Sequence, residues 1–279
     1  MRTKKLVVFI LAICLAFALA SCGGKKNNAE SIVVNSPADL EGLVVAVQSD
    51  TTSAYALERL IEEEGMKFEV NKYDKVMLCF DDLHLGRVDA VFVDSVVMNY
   101  YTAGSDKYKL AWLDSEGEPM GMCLARSSAD LATAIEAAID TMFFDGSMGE
   151  IAKKHFGNDF TAGLRDVKSK PVIPADFTTL HKGQLYVGAE MAYPPMEYMT
   201  DDGLEYQGFD IDVAKRLGEL LGLEVVFVDT AWEGIFAGVE KGEYDVIISS
   251  VSITPERQAK YILTEPYVSN QLCIVVRAE

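Results

Sequence analysis

The sequence predicts an α/β protein built as two similar lobes, and three observations carry that prediction. From residue 43 onward, short runs rich in β-branched residues alternate with segments whose apolar residues recur at helical spacing. The alternation occurs twice, before and after an aperiodic stretch over 158–184 that contains Pro171 and Pro174. Within the two runs, Gly86-Arg87-Val88-Asp89-Ala90-Val91-Phe92-Val93-Asp94 and Gly242-Glu243-Tyr244-Asp245-Val246-Ile247-Ile248-Ser249-Ser250 follow one plan. Each has a helix-ending glycine, an aspartate three residues on, an apolar strand and a polar end. Asp94 and Ser250 thereby fall at strand carboxyl ends, where open α/β sheets bind ligands.

In order along the first run, residues 43–47 (LVVAV) form a buried strand. Residues 53–64 form a helix with Ala54, Leu57, Leu60 and Ile61 on one face, closed by Gly65. Residues 68–70 and 90–93 are further strands. A long helix from about residue 130 places Leu131, Ile135, Ile139 and Met142 on one face and breaks at Asp145-Gly146, and a second helical segment reaches His155. Residues 158–184 read as a connector. The second run opens with strands at 185–187 and 225–228, and a later helix begins at Thr254-Pro255, a good N-cap followed by a good first residue.

Of the 279 residues, 49% are hydrophobic, ample for a core, and 43 acidic against 25 basic residues leave a net charge of −18. That charge repels phosphates, argues against a nucleic-acid partner and favours cationic ligands. Arg2, Lys4 and Lys5 precede an apolar run over 6–19, the pattern of an export signal. It ends in Leu19-Ala20-Ser21-Cys22, which resembles the lipobox of bacterial lipoproteins. Cys22 is therefore expected to be the acylated first residue of the mature protein. The expected organisation is a signal peptide over 1–21, a lipidated tether over 22–31, one lobe over 32–125 and the other over 126–279, connector included. The expected location is outside the cytoplasm, held by lipid at the outer face of the cell membrane or in the periplasm. Cys79, Cys123 and Cys273 are an odd number without close spacing, so core positions are expected rather than disulfides or zinc. His84, His155 and His181 stand beside no candidate nucleophile, so no catalytic residue, metal or cofactor is expected.

The chemistry concentrates at strand ends. Ser249, Ser250 and Ser252 lead into the helix at Thr254-Pro255, where free N–H groups, hydroxyls and Arg257 suit a carboxylate. A similar corner follows the first strand, with Gln48, Thr51 and Thr52 before a helix. Asp94 supplies the opposite charge, and together these groups complement a zwitterion. The strand at 185–187 delivers Glu190 and Tyr193 to the same edge before Pro194-Pro195, and Trp232 follows the next strand. The two aromatics can close on a flat or aliphatic group while Glu190 meets a cationic or hydrogen-bonding tip.

Tyr193-Pro194-Pro195, Gly208-Phe209-Asp210-Ile211-Asp212, Ile253-Thr254-Pro255-Glu256-Arg257 and Glu265-Pro266-Tyr267 resemble the first-lobe motifs of the polar amino-acid-binding proteins of ABC importers. Gln48 with Thr51-Thr52, Gly86 to Ala90, Asp94, Asp145-Gly146 and His155-Phe156-Gly157 resemble the rest of that family. The resemblance covers nearly everything from Pro37 to Val276. It implies the type II periplasmic-binding-protein fold with a ligand cleft between lobes. The segment order is reversed relative to the family, which implies a circular permutation. Ile32-Val33-Val34 and Ile274-Val275-Val276 echo each other where the family chain crosses between lobes. Two departures stand out: Asp50 replaces a usual glycine, and Met196 a usual phenylalanine.

The resemblance further implies that Arg257 pairs with the ligand α-carboxylate, aided by backbone N–H groups at Ser252 and Thr52. Asp94 and Ser250, with Ser249 nearby, would hold the α-ammonium. Glu190, Tyr193, Trp232, Gln48 and Thr51 would line the side-chain pocket. The expected protein is a monomeric, lipid-anchored, non-enzymatic receptor that delivers an amino acid to an ABC permease. Arginine, lysine, ornithine or histidine are favoured, with cystine and glutamine as further options. The alternatives are a ligand sensor for a membrane signalling protein and a cyclohexadienyl-dehydratase-like enzyme on the same fold.

Overall fold

Apolar strands alternating with amphipathic helices bury their surfaces best as sheets covered by helices. The computed structural model describes residues 32–278 and contains two five-stranded sheets. In the first, β1 (Val44–Gln48) lies between β2 (Glu69–Tyr73) and β3 (Ala90–Asp94), all parallel. Beyond β3, β13 (Leu272–Arg277) runs antiparallel to both β3 and β4 (Tyr108–Leu113). In the second, β6 (Gln184–Ala189) lies between β10 (Glu224–Asp229) and β11 (Val246–Ser252), again parallel. Beyond β11, β5 (Met120–Leu124) runs antiparallel to β11 and to β12 (Ile262–Leu263). A small third sheet comprises β7 (Ala192–Tyr193), β8 (Glu197–Met199) and β9 (Tyr206–Gln207). The helices are α1 (Thr52–Glu62), α2 (Val76–His84), α3 (Ser95–Thr102), α4 (Ala129–Asp145), α5 (Ser147–Phe156), α6 (Phe209–Leu221), α7 (Ile235–Lys241) and α8 (Pro255–Lys260). This is the two-lobed α/β fold of the type II kind expected from the motifs. The signal segment, Cys22 and the tether lie outside the described residues.

Each lobe takes its fourth strand from the other half of the chain. The sequence boundary at 125/126 is therefore crossed in both directions, by β5 into the second sheet and by β13 into the first. β5 reads Met-Gly-Met-Cys-Leu, with no β-branched residue, and so carries little strand signal, yet it is buried throughout. Gly121 is required there, because a Cβ would stand 2.8 Å from the Thr264 carbonyl oxygen. Of the two echoing segments, 274–276 supplies the crossing strand, whereas residues 32–34 form no strand.

The repeated glycine-to-aspartate plan has a physical basis. Asp89 accepts a hydrogen bond from the Val44 amide at 2.9 Å, and Asp245 accepts one from the Tyr186 amide at 2.8 Å. In both lobes this carboxylate ties the start of the central strand to its neighbour. The connector is held against the second lobe by Arg165, which donates to Glu136 at 2.6 Å, Asp140 at 2.7 Å and the carbonyls of Glu265 and Pro266. The Asp130 and Asp245 carboxylates accept from the Thr178 and Leu180 amides. Leu131, Ile135, Ile139 and Met142 of α4 are fully buried as their spacing required, and Gly146 ends the helix at φ 83°. Cys79, Cys123 and Cys273 are free and buried.

The Tyr193-Pro194-Pro195 segment departs from expectation. β6 ends at Ala189, before the prolines, and the prolines instead form the turn between β7 and β8, across which Tyr193 pairs with Glu197. Their missing N–H groups are thus accommodated in a turn and not at a strand terminus. Met196 is wholly buried, and its carbonyl accepts the Asp210 amide at 2.8 Å. Gly208, at φ 131°, passes so close to that carbonyl that no side chain fits.

Candidate functional site

The parallel strands bring their polar carboxyl ends to one place. Gln48 ends β1, Asp94 ends β3, Glu190 follows β6, and Ser249, Ser250 and Ser252 end β11. Thr51 caps α1, its hydroxyl accepting the Ala54 amide at 3.1 Å, and Thr52 opens that helix. Arg257 lies in α8, capped by Thr254 as expected. All of these, with Tyr193 and Trp232, line one narrow cavity of about 20 Å³. Every residue that the sequence proposed for ligand contact is thus brought together. Glu197 joins the same wall.

Asp94 is buried, and both its oxygens are engaged. Tyr193 donates its hydroxyl to Oδ2 at 2.5 Å, and Asn270 donates Nδ2 to Oδ1 at 2.7 Å. Burial, reinforced by the charge of Glu118, pushes its carboxyl up to about 7 despite those donors. Glu190 accepts from Gln48 Nε2 at 2.7 Å, a bond between the lobes. Burial raises its carboxyl to about 7 against the opposing effect of that bond. Gln48 Nε2 also donates to the Asp74 carbonyl, while Gln48 Oε1 is buried without a partner among the described residues.

At the cavity wall and just behind it, two fully buried acids, Glu197 and Asp210, share one environment. Asp210 accepts the Tyr267 hydroxyl at 2.7 Å and the Ser250 amide at 2.9 Å, and burial raises it to about 6. Glu197 accepts from Ser249 Oγ at 2.5 Å. Burial, then the nearby Asp210 charge, pushes Glu197 well above the carboxylate range. Two adjacent carboxyls cannot both ionise cheaply away from water, so burial and the Asp210 charge together oppose ionisation of Glu197.

At the opposite corner, Arg257 donates Nη1 to the Ser252 carbonyl at 2.9 Å. Its guanidinium lies 5.5 Å from the Trp232 ring centroid and 5.0 Å from that of Phe236. Trp232 faces the guanidinium and donates Nε1 to the Asp50 carbonyl at 2.9 Å, another bond between lobes. Asp50 holds φ 57°, so it adopts the left-handed conformation of the glycine it replaces. The hydroxyls of Thr52 and Ser252 both donate to Glu118 Oε1, at 2.7 and 2.5 Å. Glu118 and Asn270 carried no motif or periodicity in the sequence. Both enter through the interlobe crossings, which local patterns do not reveal.

Residues 185–279 match the bacterial extracellular solute-binding proteins, family 3, the group recognised from the motifs. Among curated relatives, the L-cystine-binding protein TcyJ of Escherichia coli K12 is 35% identical over 96 residues, covering 34% of this chain and 36% of the relative. The ABC transporter arginine-binding protein 1 of the same organism is 33% identical over 92 residues, covering 33% and 37%. A cyclohexadienyl dehydratase of Pseudomonas aeruginosa is 37% identical over 89 residues, covering 32% and 33%. The chain thus spans about a third of the length of each curated relative it matches.

Proposed function

We propose that the protein captures a free cationic amino acid between its lobes and hands it to an ABC importer. The charge balance of the cavity supports this reading: one guanidinium, Arg257, faces two carboxyls, Asp94 and Glu190, while burial holds Glu197 on the same wall toward its neutral form. A ligand with one carboxylate and two cationic groups neutralises all three. Gln48 Oε1 supplies an acceptor beside Glu190, and a buried acceptor without a donor costs about 1 to 3 kcal/mol that a ligand N–H recovers. The arginine-binding relative accords with this choice. In this reading the roles are Arg257 to the carboxylate, Asp94 with Ser250 and Ser249 to the ammonium, and Glu190, Gln48, Thr51, Tyr193 and Trp232 to the side chain. The lobes close by hinge bending at the two crossing strands.

Three further parts of the proposal concern the whole chain. Acylated Cys22 holds the protein at the membrane, on the pattern of residues 2–22. The chain is a circular permutation, supported by the motif order and by a match confined to 185–279. It acts as a monomer beside its permease. The dehydratase reading draws on the relative of that activity, and it predicts that a bound compound is consumed.

The test is a thermal-shift and calorimetric screen of refolded, ligand-stripped protein against the amino acids, with ornithine and cystine included. Arginine, lysine, ornithine or histidine should bind tightest, adding about 2.7 kcal/mol of stability at a concentration a hundred times Kd, and should be recovered unchanged. Arg257→Ala should abolish the shift. Failure of every amino acid to bind, or undiminished binding by Arg257→Ala, would sink the proposal.

A further inference from the structure

Glu118 stands where the chain crosses from β4 to β5, with its amide donating to the Asn270 carbonyl at 2.7 Å. Its Oε1 gathers one hydroxyl from each lobe: Thr52 from α1 and Ser252 from β11. A serine or threonine hydroxyl has one proton to donate. With both protons committed to Glu118, these hydroxyls turn lone pairs, and no donor, to any other partner. Glu118 also lines a wide outer groove of about 820 Å³, which shares Thr52, Trp232 and Arg257 with the enclosed cavity. Glu118 thus meets the same corner as a ligand carboxylate, but from the groove side.

We infer that Glu118 is an internal carboxylate that competes with the ligand's own carboxylate for the Thr52, Ser252 and Arg257 corner, and so sets selectivity there. This rests on the reading of the cavity as an amino-acid site. Binding an amino acid is then an exchange: the ligand carboxylate takes the two hydroxyl protons, and Glu118 swings into the outer groove and rehydrates. Repulsion between the two carboxylates opposes the exchange. An amine with the same side chain but no carboxylate leaves Glu118 in place and avoids that opposition. Glu118 therefore narrows the preference for amino acids over the matching amines.

The experiment compares wild type, Glu118→Gln and Glu118→Ala by calorimetry with arginine and its decarboxylated form agmatine, and with lysine and cadaverine. Acetate serves as an independent carboxylate probe by thermal shift. The expected result is that both variants bind the amino acids at least 10-fold tighter, while amine affinities stay level or fall, so the discrimination ratio grows. Acetate should stabilise the variants and leave wild type unmoved. Variants that bind amino acids more weakly with an unchanged ratio, or that gain no acetate response, overturn the inference. If wild type binds no amino acid, the cavity reading fails, and the acetate response still decides whether Glu118 blocks a carboxylate site.

Discussion

Replacing Asp94 by asparagine should make the ligand-stripped protein more stable at alkaline pH while removing its affinity for an amino acid. The carboxyl is raised from 3.8 to about 7 by burial and by Glu118. Three units at about 1.4 kcal/mol each correspond to about 4 kcal/mol of strain in the ionised form. Because the folded-state value lies above the unfolded one, the folded protein holds the extra proton between pH 4 and 7. The corresponding stability is present in full below pH 4 and is lost as pH rises through 7. Asparagine keeps an acceptor for Tyr193 but turns an amide toward Asn270, which must flip and release its bond from Ser95. That rearrangement costs about 1 kcal/mol. The net gain is therefore about 2 to 3 kcal/mol at pH 8 and none at pH 5. Urea unfolding from pH 5 to 8.5 measures it, and the variant's curve should be flatter by up to about 1.4 kcal/mol per pH unit. Calorimetry at pH 8 should meanwhile find amino-acid affinity lowered at least 30-fold, because the ligand ammonium loses a buried charged partner worth about 2 to 5 kcal/mol. Parallel pH curves for the two proteins, or a less stable variant at pH 8, would refute the reasoning.

Two further substitutions probe the scaffold. Gly188→Ala would push a Cβ to 2.5 Å from the Tyr244 ring, which is fully buried and hydrogen-bonded to the Ile235 carbonyl, so a loss of about 1 to 3 kcal/mol in urea unfolding is expected. Unchanged stability would mean that the ring can move. Arg165→Ala strands Glu136 and Asp140 and frees two carbonyls, so it should cost about 1 to 3 kcal/mol. Limited proteolysis should then cut first within 158–184, and cleavage elsewhere at the wild-type rate would contradict the pinning role.

What could be read from the chain is local by nature. A strand end, a helix cap or a glycine turn is written in neighbouring residues, so the place of Arg257, Asp94, Glu190 and the hydroxyls at the sheet edge is legible in the sequence alone. The glycine-to-aspartate repeat likewise announced two lobes, because the same strand-tying carboxylate recurs in each. Other features depend on residues far apart in sequence. β5 lacks β-branched residues and becomes a strand only because β11 and β12 pair with it. The stretch from Glu190 to Glu197 became a hairpin and not a strand end, through pairing that sequence spacing left open. Glu118 and Asn270 reach the cavity-lining Thr52, Ser252 and Asp94 through the crossings between lobes, and the raised carboxyls of Glu197 and Asp210 follow from burial. The sequence by itself determined which groups stand at the sheet edge. Only the tertiary structure decided which of them hold each other, because hydrogen-bond partners and desolvation depend on what the other lobe brings to the same space.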